Sequence, residues 1–148
     1  MAALPDYACA VIEDAQGRLL LQLRPAAARL APDQLTCFGG RREGDEDDAA
    51  CLHRELTEEL AWAAPIATPC CELWRGERFI ARFFRARWDG RPLRTEPGHT
   101  ALWVPWPALP GLPVSPWHAA VLAAVARGAA RVELLVAPVP PPADPRSR

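Results

Sequence analysis

The chain has 148 residues, a formal net charge of −1 and a hydrophobic content of 50%. This length fits one domain with its own core, and the near-neutral charge argues against binding to nucleic acid polymers, which needs a broad basic face. No apolar run approaches the roughly 20 residues that cross a bilayer, so we expect no membrane association.

The five cysteines favour a reducing compartment. Their number is odd and two are adjacent, which fits neither a disulfide framework nor a C-x-x-C zinc motif. We expect them to behave as small buried apolar residues. Because the N-terminus also lacks a signal-peptide pattern, we expect a cytoplasmic protein.

The first 46 residues predict part of a sheet. Apolar runs at Tyr7–Glu13 and Arg18–Arg24, joined by turn residues, predict two strands of a hairpin or meander. Leu35–Phe38 predicts a short strand that runs into Gly39 and Gly40. The polar stretch Arg41–Glu46 predicts a loop.

A helix is predicted from Asp47 to about Trp62. Asp47 is a suitable N-cap, because its carboxylate can accept hydrogen bonds from the first turn. Spacings of three and four residues give the helix one apolar face, formed by Ala49, Leu52, Leu56 and Leu60. Pro65 prevents the helix from running much further.

The remainder predicts further strands and a second helix. The predicted strands are Ile66–Trp74, Arg78–Trp88, Ala101–Val104 and Arg131–Val136. The second helix is Pro116–Arg127, with Trp117, Val121, Leu122 and Val125 as its apolar set. We therefore expect an α+β fold, with a mixed β-sheet packed against helices, in one domain over residues 1–136. Residues 137–148 predict a flexible, proline-rich tail.

Three glutamates stand out on the first helix. At about 100° per residue, Glu55, Glu58 and Glu59 share one sector beside the core-facing leucines. Like charges at these spacings cost about 0.2–0.5 kcal/mol per pair, and a hard divalent cation would use such oxygen ligands. A solvated surface face is the other interpretation, and the helix by itself leaves both open.

The loop before the helix favours a ligand site. Gly39 and Gly40 follow a strand directly, which lets the backbone approach a ligand closely, and an acidic loop ending at Glu46 follows them. No Gly-Lys-Ser/Thr follows, so this is not a P-loop. The third glycine of a dinucleotide fingerprint is also missing.

These residues resemble the Nudix box of the Nudix hydrolases. Gly40, five residues, Glu46, seven residues and then the run Arg54–Glu59 (RELTEE) match the box at every gap. The flanking segments Arg18–Arg24 and Thr100–Pro105 are also similar to strands of that family. The resemblance implies an α/β/α sandwich and a hydrolase that splits a diphosphate linkage with water.

The resemblance also implies roles for individual residues. Glu55, Glu58, Glu59 and the backbone carbonyl near Gly40 would hold Mg²⁺ or Mn²⁺. Glu96, in a later loop, resembles an additional metal ligand or base, although we slightly favour its interpretation as a solvated loop acid. Glu55 is the expected general base, with Glu58 or a loop carboxylate as rivals. Arg54 would orient a glutamate or the leaving phosphate, or simply form a helix salt bridge.

The box departs from the family pattern at its end. Ala61 stands where the family has glycine, and Trp62 where it has an aliphatic residue. Since alanine in the left-handed conformation costs about 1–2 kcal/mol, we expect the helix to continue to Ala64 instead.

The substrate is expected to be a small nucleoside diphosphate derivative, by default a normal or oxidised (d)NTP. Nucleotide sugars and other capped diphosphates are alternative substrates. The alternative functions are a nucleotide-binding module without strong catalysis and a structural interaction protein. A homodimer is a further expectation for the assembly. Arg24, Arg41 and Phe79 are the candidate substrate contacts. His99 is a possible phosphate contact, and His118 has no assigned role.

Overall fold

The structure is a computed structural model that describes residues 3–65 and 67–135. Its elements, in chain order, are β1 (Tyr7–Glu13), β2 (Leu19–Leu23), β3 (Leu35–Thr36), β4 (Phe38–Arg41), α1 (Asp48–Leu60), β5 (Thr68–Arg75), β6 (Arg78–Arg87), β7 (Thr100–Val104), a 3-10 helix (Trp106–Gly111), α2 (Pro116–Ala126) and β8 (Arg131–Leu134). Ile66, Val136 and the predicted tail lie outside the described residues.

The strands form one mixed sheet in the order β3-β2-β1-β6-β5-β8, with β4 paired to β1 and β7 paired to β2. The central strand β1 runs parallel to β6 from the pair Tyr7/Ala81 to the pair Glu13/Arg87, and antiparallel to β4. All five interior residues of β1 are buried, which is expected of a strand covered on both faces.

The two helices cover opposite faces of the sheet. On one face α1 buries Leu52, Leu56 and Leu60 against β1 and β6. On the other face α2 buries Val121, Leu122 and Val125 against a second cluster. This arrangement confirms the predicted α+β class with a mixed sheet between helices, which is an α/β/α sandwich.

The predicted strand Leu35–Phe38 is two short strands in the structure, and the second of them, β4, continues through both glycines to Arg41. The chain leaves β3, which pairs with β2, passes Cys37 and pairs with β1 as β4. Gly39 has a φ of 144° and lies opposite Cys9, and a Cβ on Gly39 would collide with the backbone of Ala8 and Cys9. Only glycine therefore lets β4 approach β1 this closely.

Helix α1 begins as predicted and ends earlier than predicted. The Asp47 side chain accepts a hydrogen bond from the Ala50 N–H at 2.8 Å, which confirms the N-cap. The expected continuation to Ala64 is wrong, because Ala61 adopts the left-handed conformation with φ 49° and ψ 39°. The turn at Ala61 buries Trp62 completely against Trp88, and this burial offsets the conformational cost.

Two residues were assigned to apolar helix faces incorrectly. Ala49 is exposed, and Cys51 takes its place in the core beneath α1. Trp117 is 38% exposed, because it lies at the N-terminal end of α2 beyond the edge of the core. No helix among the described residues is long and apolar enough to cross a membrane. All five cysteines are free, and four of them are buried.

Candidate active site

The carboxylate of Glu59 is held in place from two strands. Its Oε1 accepts a hydrogen bond from the Gly39 N–H of β4 at 3.1 Å. Its Oε2 accepts a hydrogen bond from the Gln22 side-chain amide of β2 at 3.3 Å. The Gln22 amide also donates to the Cys37 carbonyl at 3.4 Å. The helix face is thereby joined to the strands across the β3–β4 junction.

Arg54 connects the box helix to the box loop. Its Nη2 donates to Glu46 at 2.7 Å and to the Arg41 carbonyl at 3.0 Å, and its Nη1 donates to Glu55 at 2.9 Å. The hydrogen bonds from Arg54 lower the pKa of Glu46 to about 2. The same contacts raise the pKa of Arg54, chiefly through Glu46. Arg54 thus forms salt bridges and also orients Glu55, so both of its predicted roles are compatible with this geometry.

Gly40 is required by its contact with Glu55. A Cβ at this position would overlap the Glu55 carboxyl group, although Gly40 itself has no unusual φ. The Gly40 carbonyl accepts a weak hydrogen bond from the Cys51 thiol at 3.4 Å. The close approach places the backbone of β4 directly beside the Glu55 carboxylate, as a shared metal ligand set would need.

Burial and the negative charge of Glu55 raise the pKa of Glu59 well above its usual range. The Glu55 carboxylate, one helical turn from Glu59, disfavours the ionised form of that largely buried group. A bound divalent cation would reverse that preference, because it stabilises both charges at once. The chemistry of this donor set therefore fits a hard metal ion.

The described part of the chain holds no preassembled cluster of three His, Cys, Asp or Glu side chains. Arg54 accounts for this, since it holds Glu55 and lies 3.4 Å from Glu58, while Gly39 and Gln22 hold Glu59. Magnesium typically uses few carboxylates together with water and substrate phosphates.

The other two predicted metal ligands lie further out. The Glu58 side chain is 55% exposed, whereas that of Glu55 is 15% exposed. Glu96 lies in an exposed loop, and its charge contributes to raising the pKa of Glu59. Its carbonyl accepts a hydrogen bond from the His99 N–H at 3.0 Å. Glu96 therefore faces the same side of the molecule as the box helix.

A cavity of about 630 Å³ adjoins the carboxylates. Its lining includes Gln22 and Gly39, which hold Glu59, and Gly40, which lies against Glu55. Arg24 and Arg41, both predicted substrate contacts, also line it. The cavity has the size and mixed lining of a small-molecule site.

Phe79, the third predicted substrate contact, does not line this cavity. It stacks on Trp74 with ring centroids 4.5 Å apart, and its neighbours Ile80, Ala81 and Phe83 line the cavity instead. The pairing of β5 with β6 is irregular between Leu73 and Trp74. Simple alternation along β6 therefore does not predict which side chains reach the cavity.

Sequence reasoning missed two residues of this site. Gln22 is the only polar residue of β2 (LLLQL), and a buried amide within an apolar strand could have indicated a functional contact. His118, on α2, lines the cavity and accepts a hydrogen bond from the Cys37 N–H at 3.1 Å. No local pattern indicates that contact, because the two residues are 81 positions apart.

The α/β/α sandwich, with its carboxylate helix beside a cavity of small-molecule size, is typical of a class of small hydrolases. The family model of the NUDIX domain matches residues 3–125 of this chain. The chain therefore belongs to the Nudix family and is a Nudix hydrolase. None of the curated proteins matches it.

Solved structures share the fold at low sequence identity. The MutT protein of Methanosarcina mazei Go1 has a TM-score of 0.70 at 18% identity, covering 86% of this chain and 97% of that chain. The MutT Nudix hydrolase of Burkholderia pseudomallei has a TM-score of 0.67 at 22% identity, covering 82% and 98%. The Nudix domain of Shewanella oneidensis NrtR, in complex with ADP ribose, has a TM-score of 0.66 at 16% identity, covering 86% and 88%.

Proposed function

We propose that this protein is a Mg²⁺-dependent pyrophosphohydrolase that cleaves a nucleoside diphosphate-linked substrate, with a normal or oxidised (d)NTP as the first choice. The observation that carries the proposal is the Glu55 and Glu59 carboxylate pair, which lies against the cavity-lining residues Gln22, Gly39 and Gly40. Burial and the charge of Glu55 raise the pKa of Glu59, a bound cation would favour the ionised form again, and the cavity beside the pair has room for a nucleoside.

The metal would be held by Glu55, Glu58, Glu59 and the Gly40 carbonyl, with Glu96 as a further ligand. Nudix hydrolases generally use a divalent metal ion. Bound Mg²⁺ or Mn²⁺ would neutralise the diphosphate and make water a stronger nucleophile at neutral pH. Glu58 and Glu96 are exposed and can move toward this position, whereas Glu59 is already held by Gly39 and Gln22.

Glu55 is the proposed general base. Arg54 donates to Glu55 Oε1 at 2.9 Å and leaves its second oxygen available to accept a proton from water. Glu58 is the second candidate, because its carboxylate is more exposed and less firmly held. Because Arg54 also binds Glu46 and the Arg41 carbonyl, it orients Glu55 relative to the loop that would face the substrate phosphates.

The cavity supplies the contacts for the rest of the substrate. Arg24 and Arg41 provide positive charge that suits phosphate oxygens, and Phe83 and Trp117 provide aromatic surface that suits a base. A nucleotide sugar or another capped diphosphate is the second candidate, because the structurally similar NrtR domain was solved with ADP ribose.

The experiment is a turnover panel with and without Mg²⁺. Phosphate and pyrophosphate release is measured from nucleoside triphosphates, nucleotide sugars, ADP-ribose and dinucleoside polyphosphates. We expect metal-dependent turnover of one class and a loss of orders of magnitude in Glu59→Gln and Glu58→Gln, which replace a charge by its near-isostere. Glu77→Gln, in an exposed turn, is the control and should retain activity. Retained activity in both box variants would refute the metal site, and no turnover of any class would favour a binding module.

A further inference from the structure

His118 lines the cavity with a ring whose two nitrogens have different surroundings. Its Nδ1 accepts a hydrogen bond from the Cys37 N–H at 3.1 Å, so Nδ1 carries no proton. The Phe83 ring meets the imidazole edge-on, with centroids 5.6 Å apart. The backbone and an aromatic neighbour together set the position of the ring.

The neutral form of this ring must carry its proton on Nε2. Burial, with a further contribution from the positive charge of Arg24, lowers the pKa of His118 to about 4, so the ring is neutral at physiological pH. A neutral imidazole with an accepting Nδ1 has an N–H at Nε2. At Nε2, His118 can therefore donate a hydrogen bond but cannot accept one.

Nε2 is open to the cavity. Among the described residues it has no hydrogen-bond partner, and it is not one of the sealed, unpartnered polar atoms, which are Thr36 Oγ1 and Trp62 Nε1. Since Nε2 is neither paired nor sealed and His118 lines the cavity, its N–H faces the space that a ligand would occupy.

Among the other polar side chains of the lining, Gln22 uses its amide nitrogen for Glu59 and the Cys37 carbonyl and offers its oxygen as an acceptor, so the preference for an acceptor applies to the part of a ligand that faces His118. The hydroxyl groups of Tyr7 and Ser115 can donate or accept, so they select neither kind of partner. Arg24 and Arg41 can only donate, as His118 does. A ligand that presents a carbonyl oxygen to His118 gains a hydrogen bond there, whereas one that presents an amino group places two donors against each other.

We propose that His118 determines base specificity in this cavity, by donating its Nε2–H to a ring carbonyl, so that keto-substituted nucleobases are preferred to amino-substituted ones. This inference rests on the proposed function, because it takes the occupant of the cavity to be a nucleoside. Purines carry the keto or amino group at C6 and pyrimidines carry it at C4, so each class of base offers a matched pair that tests the preference.

Two matched substrate pairs test the proposal. Inosine and adenosine triphosphates differ at the purine keto or amino position and the adjoining nitrogen, and UTP and CTP differ in the same way. We expect kcat/KM to favour ITP over ATP and UTP over CTP by about tenfold, the value of one hydrogen bond of ordinary strength. Equal or opposite preferences in both pairs would overturn the proposal.

Variants of His118 test the roles of its two ring nitrogens one at a time. In His118→Asn the side-chain oxygen can still accept from the Cys37 N–H, but no donor reaches the cavity. The ratio of kcat/KM between keto and amino substrates should therefore fall toward one, chiefly through slower turnover of ITP and UTP. In His118→Gln the amide nitrogen reaches the Nε2 position, so part of the preference should remain. His53→Asn, an exposed histidine on α1, is the control and should keep the full preference. An unchanged preference in His118→Asn would overturn the proposal.

Binding measurements separate this proposal from the hydrolase proposal. Calorimetric titration of the same four nucleotides, without metal, reports recognition independently of turnover. Preferential binding of ITP and UTP without hydrolysis would support the role of His118 and refute the proposed activity. Hydrolysis without any keto preference would support the proposed activity and refute the role of His118. Absence of binding by all four nucleotides would also overturn the role of His118.

Discussion

Gln22 and Glu59 are joined by a hydrogen bond of 3.3 Å between the side-chain amide nitrogen and Oε2, across 37 positions of the sequence. Gln22 is 3% exposed and lies on β2, whereas Glu59 lies near the end of α1. A buried carboxylate held in this way keeps one orientation, which is what a metal ligand requires.

Replacing Gln22 by leucine should weaken metal use without unfolding the protein. Leucine fills a similar volume in the apolar strand, but it leaves Glu59 Oε2 without its donor. Loss of such a supporting contact typically costs 10- to 100-fold in metal affinity or activity, and we expect a change of that size in Mg²⁺-dependent turnover. Gln16→Leu, at an exposed turn, is the control. Turnover equal to that of the control would exclude a positioning role for Gln22.

Gly40→Ala should displace Glu55. The new Cβ would overlap the Glu55 carboxyl group, so the side chain must leave its position beside β4. We expect kcat to fall on the order of 100-fold, because misplacement of a reacting group by about 1 Å has an effect of that size. Gly111→Ala is the control, since a Cβ there meets no atom within 4 Å. Wild-type kcat in Gly40→Ala would show that Glu55 need not stay in this position.

Arg54→Lys should reduce activity although it preserves the charge. One ammonium group cannot reach Glu46, Glu55 and the Arg41 carbonyl together, as the guanidinium does. We expect a loss of at least tenfold in kcat, measured under saturating substrate and Mg²⁺. Arg87→Lys, at an exposed position, should behave as wild type. Equal activities of the two variants would mean that the charge of Arg54 is sufficient.

The stability of the protein should fall as the pH decreases from about 6.5 to about 4, in part because of His118. Burial lowers the pKa of His118 to about 4 in the folded state, so the unfolded chain binds more protons within this range. The contribution of the neutral His118 ring to the free energy of unfolding is complete above the pKa of the unfolded state. It is lost as the pH falls toward the folded-state pKa, by up to about 3 kcal/mol. Urea unfolding at pH 7 and pH 4.5 should show a smaller difference for His118→Asn than for wild type. The same difference in both proteins would contradict this assignment.

Ala61→Gly should stabilise the protein. Ala61 has φ 49°, a conformation that costs a non-glycine residue about 1–2 kcal/mol and glycine almost nothing. Thermal unfolding should shift upward by about 2–4 °C for each kcal/mol gained. Ala63→Gly is the control, because Ala63 is exposed and has no positive φ, so the substitution there should lower the melting temperature. A lower melting temperature for Ala61→Gly would show that the left-handed turn is not strained.

Features that depend on residues close in sequence were predicted well. The spacing from Gly40 to Glu59 led to the family, and the position of Asp47 led to the start of α1, because box spacing and helix capping involve residues within one or two turns. The five buried residues of β1 were likewise visible as one apolar run. The order of strands and helices was sufficient for the α+β class with a mixed sheet, and the family resemblance supplied the α/β/α sandwich.

The predictions that differed from the structure depended on distant packing. Burial of Trp62 against Trp88 ends α1 at Leu60, and the irregular pairing of β5 with β6 turns Phe79 away from the cavity. The periodicity of a segment cannot predict where its helix ends or which way a side chain points when residues of another element decide it.

The sequence by itself determined the family, the carboxylates and the order of the elements, since these depend on residue types at short, fixed spacings. Only the tertiary structure decided what surrounds those carboxylates: Gln22 reaches Glu59 across 37 positions, and His118 reaches Cys37 across 81. Hydrogen bonds between such distant residues depend on how the helices pack against the sheet, and that packing is a property of the whole folded chain.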